Sequence, residues 1–337
     1  MTNTATITTA LTSTEYAALS PDIVIDAVEA TGRRSDARVF ALNSYENRVY
    51  QVGIEDALPV IVKFYRPNRW SDAQIREEHA FCRELVAAEI PVVAPIADAS
   101  GETLYTHAGY RYALFVRKGG MAPEPGDLDQ LHRIGTLLGR MHAVARARAF
   151  EHRPALDVAR FLDRPAGILQ ERGFVPPAFS ARYTTLIAAL RNTILATFAT
   201  VQATAIRTQG DCHPGNIVWT RDDGPWFVDF DDCQLAPAVQ DLWMLLAGDQ
   251  REQERGLAEL LDGYSAFCEF DARELRLVEP LRTLRLAHYA GWIAERWEDP
   301  AFPRAFPWFN TPRWWQSHLA ELEEQQQLLA AEPIRWL

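Results

Sequence analysis

The sequence predicts an α+β fold with two lobes, a strand-rich N-lobe that contains one helix and a mainly helical C-lobe. The chain has 337 residues, 48% of them hydrophobic and 23% charged, which suits one large or two moderate domains. Short β-branched and aromatic runs dominate the first part of the chain, and helical periodicity dominates the second. A Gly, Pro and acid-rich stretch after Lys118 separates them. We predict a flexible tail over 1–20, an N-lobe over 21–116 and a C-lobe over 117–337.

Composition excludes several classes of function. The formal net charge is −11, so there is no general basic field to hold nucleic acid or an anionic membrane. Residues 1–14 lack the basic and apolar regions of a signal peptide, and apolar runs such as 242–247 fall far short of the roughly 20 residues that span a bilayer. The four cysteines form no CxxC pair. We expect a soluble, monomeric, cytoplasmic protein with reduced thiols and no nucleic-acid or membrane partner.

The N-lobe begins with three predicted strands near 38–43, 47–53 and 59–65, because runs of Val, Ile, Phe and Tyr alternate with turn residues there. The polar residues 43–47 form a tight turn between the first two strands. The third strand is almost entirely apolar except for Lys63. A lysine in a buried strand needs a partner, because an unpaired buried charge is costly.

A helix follows over residues 71–88, with Ser71 as its N-cap. Its face with Phe81 and Leu85 would pack against the sheet, and Glu78 shares that face. We therefore prefer Glu78 over its neighbour Glu77 as the ion-pair partner of the strand lysine. The alternative is that the lysine snorkels from an edge strand and Glu78 is solvated.

Beyond Pro91 two more strands are predicted, the second being Tyr110–Val116, and residues 205–230 hold two or three short strands. The rest of the second half is helical by its periodicity. The predicted helices lie near 128–149, 177–202, 238–248, 251–269, 272–296 and 312–332.

The segment Gly210–Asn216 carries the most informative chemistry. Asp211 precedes Asn216 by five residues, which resembles a kinase catalytic loop, where the acid orients the acceptor hydroxyl and the amide binds Mg²⁺. The alternative is that Asp211 caps a turn and Asn216 adopts a left-handed conformation, and the two interpretations are about equally supported by this segment alone.

Asp229 favours the kinase interpretation over the plain turn, because a carboxylate at the end of the strand Trp226–Val228 needs a cation or a hydrogen-bond donor. It would be the principal Mg²⁺ ligand together with Asn216. Asp231 and Asp232 follow, and either join the metal cluster or form an exposed acidic turn.

Two further features leave alternatives open. Asp241 either steadies the catalytic loop by accepting its backbone N–H groups or is a plain helix cap. Cys212, His213 and Cys233 would suit zinc, but a fourth ligand at the usual spacing is missing.

Six segments together resemble the stress response kinase A family, within the aminoglycoside phosphotransferase and choline kinase-like group of the protein kinase-like fold. They are Asn43–Tyr50, Glu77–Phe81, Gly210–Asn216, Val228–Asp232, Gln240–Trp243 and Arg296–Pro300. The resemblance spans about residues 20–320. It implies transfer of phosphate from ATP to protein Ser or Thr residues, with two Mg²⁺ ions, in a bacterial cytoplasmic stress response.

The resemblance also implies roles for single residues. Asp211 would be the catalytic acid, Asn216 and Asp229 the metal ligands, and Lys63, held by Glu78, the lysine that binds the ATP phosphates. Other nucleotide contacts are implied for the turn and for the hinge between the lobes. They are Ser44, Tyr45, Glu46 and Asn47 over the phosphates, in place of a GxGxxG loop, and Phe115 and Val116 beside the adenine.

The sequence departs from the expected kinase pattern in three ways. Gly210 stands where many protein kinases have an arginine that reads an activation-loop phosphate, and no APE motif follows Asp229. We therefore expect an enzyme that needs no loop phosphorylation. Gln209 stands where the family usually has a histidine near the catalytic acid.

The leading hypothesis is thus an ATP- and Mg²⁺-dependent serine/threonine protein kinase. The alternative is a small-molecule kinase of the same fold that acts on an aminoglycoside, choline or another amino alcohol, because fold does not fix the acceptor. An acidic acceptor cleft would favour a cationic small molecule, and an open cleft a peptide. A pseudokinase that only binds nucleotide is a third possibility, against which the complete residue set argues.

Overall fold

The N-lobe is a five-stranded antiparallel sheet with the strand order β1-β2-β3-β5-β4. The computed structural model describes residue 16 and residues 19–336, so nearly all of the predicted tail lies outside the described residues. The strands are β1 Ser35–Ala41, β2 Arg48–Ile54, β3 Ala57–Phe64, β4 Tyr105–His107 and β5 Tyr110–Val116. Strand β3 is central, between β2 and β5, which buries its lysine in the lobe.

Two helices flank this sheet. Helix α1, Pro21–Glu29, was not predicted; it buries Val24 and Val28 in a core shared with β2, β3 and β5. Helix α2, Asp72–Ala87, is the predicted internal helix. It begins with a capping box in which Ser71 and Gln74 exchange side-chain and backbone hydrogen bonds.

The C-lobe is mainly helical and has two apolar cores. Its helices are α3 Leu128–Ala145, α4 Arg164–Glu171, α5 Pro177–Val201, α6 Gln250–Ser265, α7 Val278–Glu295, α8 Ala301–Ala305 and α9 Pro312–Leu328. Two strand pairs carry the loops of interest, β6 Ile206–Thr208 with β9 Gln234–Ala236, and the hairpin of β7 Ile217–Thr220 and β8 Gly224–Phe227.

The predicted helix over 238–248 is wrong. The chain instead forms two short 3₁₀ helices, Ala238–Asp241 and Trp243–Leu245. Tertiary hydrogen bonds override the helical pattern, because the Val239 N–H donates to the Glu274 carboxylate and the Asp241 carboxylate accepts from a neighbouring loop. The predicted helix over 272–296 starts with a 3₁₀ segment, Ala272–Leu277, before α7.

Helix α5 is the one helix in the described part of the chain whose length and composition would suffice to cross a membrane. This is weak evidence by itself, since a core helix passes the same test. Tyr183, Leu190 and other buried side chains of α5 pack in the second C-lobe core. Arg182 pairs with Glu323 of α9, so α5 contacts the lobe, although only 22% of its apolar window is buried.

Candidate active site

Lys63 on β3 lies at the centre of a buried cluster of charges. Its Nζ is 3.0 Å from carboxylate oxygens of both Asp229 and Asp231, and 3.8 Å from Oε1 of Glu78 on α2. Burial alone would lower the pKa of Lys63, but these three carboxylates outweigh it and raise that pKa well above its usual range. Lys63 is therefore a fixed cation between the lobes.

The two neighbouring glutamates of α2 point to different partners. Glu78 is 2% exposed and faces Lys63 and Arg153, and burial raises the pKa of its carboxyl to about 7 despite these cations. Glu77 instead accepts the backbone N–H groups of residues 151–153. The structure thus brings Glu78, and not Glu77, to the lysine.

Asp229 and Asp231 leave the end of hairpin strand β8 in different directions. Asp229 has a positive φ of 53° and a half-exposed side chain, so it keeps an oxygen open toward the cleft. Asp231 is 3% exposed and is bound by Lys63, Arg69 and Asn47. The exposed acidic turn is therefore wrong for Asp231. Lys63, which contacts both carboxylates, and Arg69 offset its repulsion with Asp229.

The loop before Asp211 is held by the buried carboxylate of Asp241. Its two oxygens accept the backbone N–H groups of Gln209 at 2.7 Å and Gly210 at 2.8 Å, and His142 lies 3.1 Å away. Asp241 therefore steadies the loop rather than capping a helix. Gln209, in place of the family histidine, accepts the Asp211 N–H through Oε1 and donates to the carbonyl of Asp229.

Gly210 fits the loop for steric reasons. Its φ is +87°, and a Cβ at this position would clash with the carbonyl oxygen of Asp232. An L-residue such as arginine would be strained here. The backbone conformation therefore explains why this position holds glycine instead of the arginine found in many protein kinases.

Asn216 joins the loop to the open end of the β7–β8 hairpin. Its Nδ2 donates to the backbone carbonyl of Asp211 at 3.0 Å, and its own backbone carbonyl accepts the N–H of Val228 at 3.0 Å. The backbone thus sets Asn216 and Asp229 at the same end of this hairpin. Both keep a side-chain oxygen for a hard cation.

The Asp211 carboxylate lies in the C-lobe part of the cleft and is partly exposed. Its Oδ1 accepts a hydrogen bond from Nη1 of Arg285 on α7, and its Oδ2 is 3.5 Å from Nε2 of His213. Asp211 therefore faces solvent and basic side chains, in contrast to the buried acids around the lysine.

The turn 43–47 crosses from the sheet to the C-lobe. Asn47 is buried and donates to Asp231, Glu46 pairs with Arg296 at 2.7 Å, and the ring of Tyr45 lies 5.0 Å from that of Phe306. Ser44 lies in the bend between β1 and β2. The turn is thus tied to the C-lobe by its side chains, and its contact with phosphates stays a prediction.

The predicted hinge residues end strand β5. Phe115 is partly buried, whereas Val116 is half-exposed. Shortly after them the chain pairs with the C-lobe hairpin, since Met121 and Trp219 exchange backbone hydrogen bonds. Their contact with adenine also stays a prediction.

The donor set at the cleft suits Mg²⁺ better than zinc. Nowhere in the described residues do three or more His, Cys, Asp or Glu side chains form a group that could hold a metal ion. Mg²⁺ is usually held by one or two protein oxygens together with water and substrate phosphates, which Asn216 and Asp229 could supply. The four cysteines are buried and free.

Several residues at the site were missed from the sequence. Arg69 binds both Asp231 and Asp232, Arg285 binds Asp211, and His142 supports Asp241. His142 falls within the predicted helix near 128–149, which by itself gave no indication of the contact with Asp241. The two arginines had no local signal, because their partners are 74 to 163 residues away in the sequence.

Comparison with known proteins identifies the class of enzyme. Residues 38–278 match the model of the phosphotransferase enzyme family. A stress response kinase A of Salmonella choleraesuis strain SC-B67 is 44% identical over 324 residues, covering 95% of this chain and 96% of that protein. The stress response kinase A of Escherichia coli K12 is 42% identical over 320 residues, with the same coverage.

The chain therefore belongs to the phosphotransferase enzyme family and, within it, to the stress response kinase A group. A further relative, 43% identical with the same coverage, is a serine/threonine protein kinase RdoA of Salmonella typhimurium strain LT2. Among solved structures, the amicoumacin kinase hAmiN in complex with AMP-PNP, Ca²⁺ and Ami superimposes with a TM-score of 0.74 at 17% identity, covering 96% of this chain and 97% of that one. The α+β, protein kinase-like fold class is confirmed, and the chain is a kinase.

Proposed function

We propose that this chain is an ATP- and Mg²⁺-dependent serine/threonine protein kinase of a bacterial stress response, acting in the cytoplasm as a monomer. The observation that carries the proposal is that Lys63 contacts both Glu78 and Asp229. Asn216 lies at the same hairpin end as Asp229 and donates to the backbone of Asp211. Lys63 would bind the phosphates, and Asn216 and Asp229 would bind Mg²⁺.

In the proposed reaction, the oxygen of a Ser or Thr hydroxyl attacks the γ-phosphorus of ATP. The new P–O bond forms as the bond from the γ-phosphorus to the β,γ-bridging oxygen breaks, and ADP leaves with that electron pair. Asp211 orients the hydroxyl and takes its proton. Magnesium supplies neutralisation of the phosphate charge when it is bound. Asp241 keeps the Asp211 loop in place through the two backbone N–H groups.

The charge beside Asp211 supports a protein acceptor over a cationic small molecule. Arg285 contacts the carboxylate directly, His213 lies 3.5 Å from it, and Arg282 is one turn away from Arg285 on α7. Aminoglycosides and choline are cations, and these side chains would repel them. The name of the 43% identical Salmonella typhimurium relative points the same way.

The alternative is a small-molecule kinase of the same fold. It is favoured by the names of two structural neighbours, the amicoumacin kinase and a microcompartment-associated aminopropanol kinase with a TM-score of 0.68 and 15% identity. At such identities the likeness concerns the fold alone, so the acceptor must be tested directly.

The test is transfer of the γ-phosphate from ATP, with and without Mg²⁺. The purified chain is given generic protein acceptors in one arm and a panel of amino alcohols and aminoglycosides in the other. We expect Mg²⁺-dependent labelling of Ser or Thr in protein and none of the small molecules. Labelling of a small molecule alone would establish the alternative.

A further inference from the structure

A small pocket lies near Asp211, since two of its lining residues, His213 and Arg285, contact that carboxylate. Its volume is about 270 Å³. Its walls are basic or apolar, and they comprise His213, Trp243, Met244, Leu246, Arg282 and Arg285. None of these six residues is acidic, although the chain as a whole carries a net charge of −11. The pocket is therefore a local exception to the charge of the molecule.

Arg285 contacts the oxygen atom that an acceptor hydroxyl has to reach. Its Nη1 donates to Oδ1 of Asp211, and its side chain is 46% exposed. A hydroxyl that approaches this oxygen displaces the guanidinium, which then needs another anion. An acidic group on the acceptor would supply that anion within the same pocket.

Arg282, one turn before Arg285, has donor capacity left over. Its Nε is buried without a hydrogen-bond partner among the described residues, and its carboxylate neighbour Glu279 is 3.6 Å away, beyond good hydrogen-bond distance. The indole Nε1 of Trp243, a residue only 7% exposed, is likewise buried and unpartnered in the described part of the chain. Both nitrogens are enclosed by protein, so an anion in the pocket would instead meet the remainder of the Arg282 side chain, which is 30% exposed.

We propose that this pocket binds a carboxylate close to the acceptor hydroxyl, so that the enzyme prefers Ser or Thr residues flanked by Asp or Glu. The proposal rests on the proposed protein kinase function and adds the class of substrate to it. Arg282 and Arg285 are the specificity-determining residues, and the apolar walls from Trp243, Met244 and Leu246 enclose the methylene groups of the acidic side chain.

The test compares two synthetic peptides with one Ser each, identical except that the flanking residues are Asp in one and Lys in the other. The kcat/KM for phosphate transfer is measured for the wild type and for Arg282→Glu. We expect the wild type to prefer the acidic peptide by about tenfold or more, mainly through KM, and Arg282→Glu to remove or invert that preference. The preference should shrink as salt is raised.

Two further variants serve as a control and as a second measurement. Arg133→Glu makes the same change of charge at an exposed position of α3 and should leave the peptide preference unchanged. Arg285→Gln provides a second measurement if Arg282→Glu does not fold, and it should weaken the preference as well.

The outcomes separate the two proposals. Equal kcat/KM for both peptides, or a preference that Arg282→Glu and Arg285→Gln leave intact, would overturn the acidic pocket while the protein kinase function stands. Transfer to amino alcohols or aminoglycosides without transfer to any peptide or protein would overturn both.

Discussion

The two sides of the cleft use charge in opposite ways. Around Lys63 the carboxylates of Glu78 and Asp231 are almost wholly buried, and each lies within 4 Å of the lysine. Around Asp211 the carboxylate and the arginine that binds it are both partly exposed.

This difference matters because burial decides how firmly an ion pair is fixed. Buried ion pairs carry a large desolvation cost and are strongly disrupted when one partner is removed, whereas exposed pairs contribute little and exchange partners easily. The lysine side is thus a rigid connection between the lobes. The Asp211 side can release Arg285, which the proposed reaction requires.

The largest expected effect is on the rate of phosphate transfer. Asp211→Asn should lower turnover by about 10²–10⁴-fold, because the amide cannot take the hydroxyl proton. Nucleotide affinity should stay nearly intact, since Asp211 pairs with Arg285 and His213 rather than with Lys63. Phosphate-transfer rates and a nucleotide titration on the same preparation check both statements. Turnover at the wild-type rate would remove Asp211 from its assigned role.

The second-largest expected effect comes from breaking the buried ion pairs of Lys63. Lys63→Met leaves Glu78 and Asp231 facing each other without their shared cation, which should cost about 3–5 kcal/mol in the free energy of unfolding and weaken nucleotide binding. Urea unfolding followed by circular dichroism measures the first. Arg182→Met, which breaks the exposed pair with Glu323, is the control and should leave the urea midpoint nearly unchanged. Equal effects of the two substitutions would contradict the claim that burial makes the ion pairs of Lys63 important for stability.

A smaller effect is expected from the support of the Asp211 loop. Asp241→Asn retains one carbonyl oxygen for the two N–H groups of Gln209 and Gly210, so it should cost about 1–3 kcal/mol of stability and lower kcat more than it changes KM. Asp249→Asn is the matched control, because Asp249 is the N-cap of α6 and Asn caps equally well. An unchanged kcat in Asp241→Asn would show that this carboxylate does not position the loop.

The smallest effect is on pH dependence. Burial raises the folded-state pKa of Glu78 to about 7, above its usual 4.5, so the folded state binds this proton more tightly than the unfolded state. The contribution of Glu78 to stability is therefore greatest below about pH 4.5 and is lost as the pH rises through 7. The same ionisation charges the partner of Lys63, so activity should fall about tenfold from pH 8 to pH 6.

Glu78→Gln tests this titration, because glutamine carries no proton to lose. Its stability relative to the wild type should improve from pH 5 to pH 8, and its activity should lose the decline at acid pH. Glu77→Gln is the neighbouring control on α2. An acid decline that persists in Glu78→Gln would assign the titration to another group.

The sequence predicted those parts of the fold whose cause is local. The strands of the sheet and helix α2 follow from periodicity and from the capping residue Ser71. The single helix over 238–248 failed, because the Asp241 and Val239 groups bond to distant residues instead of continuing a helix. Helix α1 was missed although its start has local signals, since Ser20 caps it and Pro21 is its first residue.

Within the site, too, features with a local cause were predicted and features that depend on distant contacts were not. Five site residues were predicted from residue type and spacing, and the structure brings them into two contacting groups. Lys63 contacts Glu78 and Asp229, and Asn216 contacts Asp211. The burial of Asp231 and the contact of Arg285 with Asp211 depend on which distant elements meet. Periodicity places Arg285 on a helix but cannot indicate that this helix passes the Asp211 loop.

The most direct test of the central claim is to map the phosphorylated residues by mass spectrometry. An acceptor protein is incubated with ATP, Mg²⁺ and either the wild type or Asp211→Asn. We expect phosphoserine or phosphothreonine in the acceptor with the wild type and a loss of that signal with Asp211→Asn that leaves nucleotide binding in place. An unmodified protein acceptor beside a phosphorylated amino alcohol or aminoglycoside, or undiminished phosphorylation by Asp211→Asn, would contradict the claim.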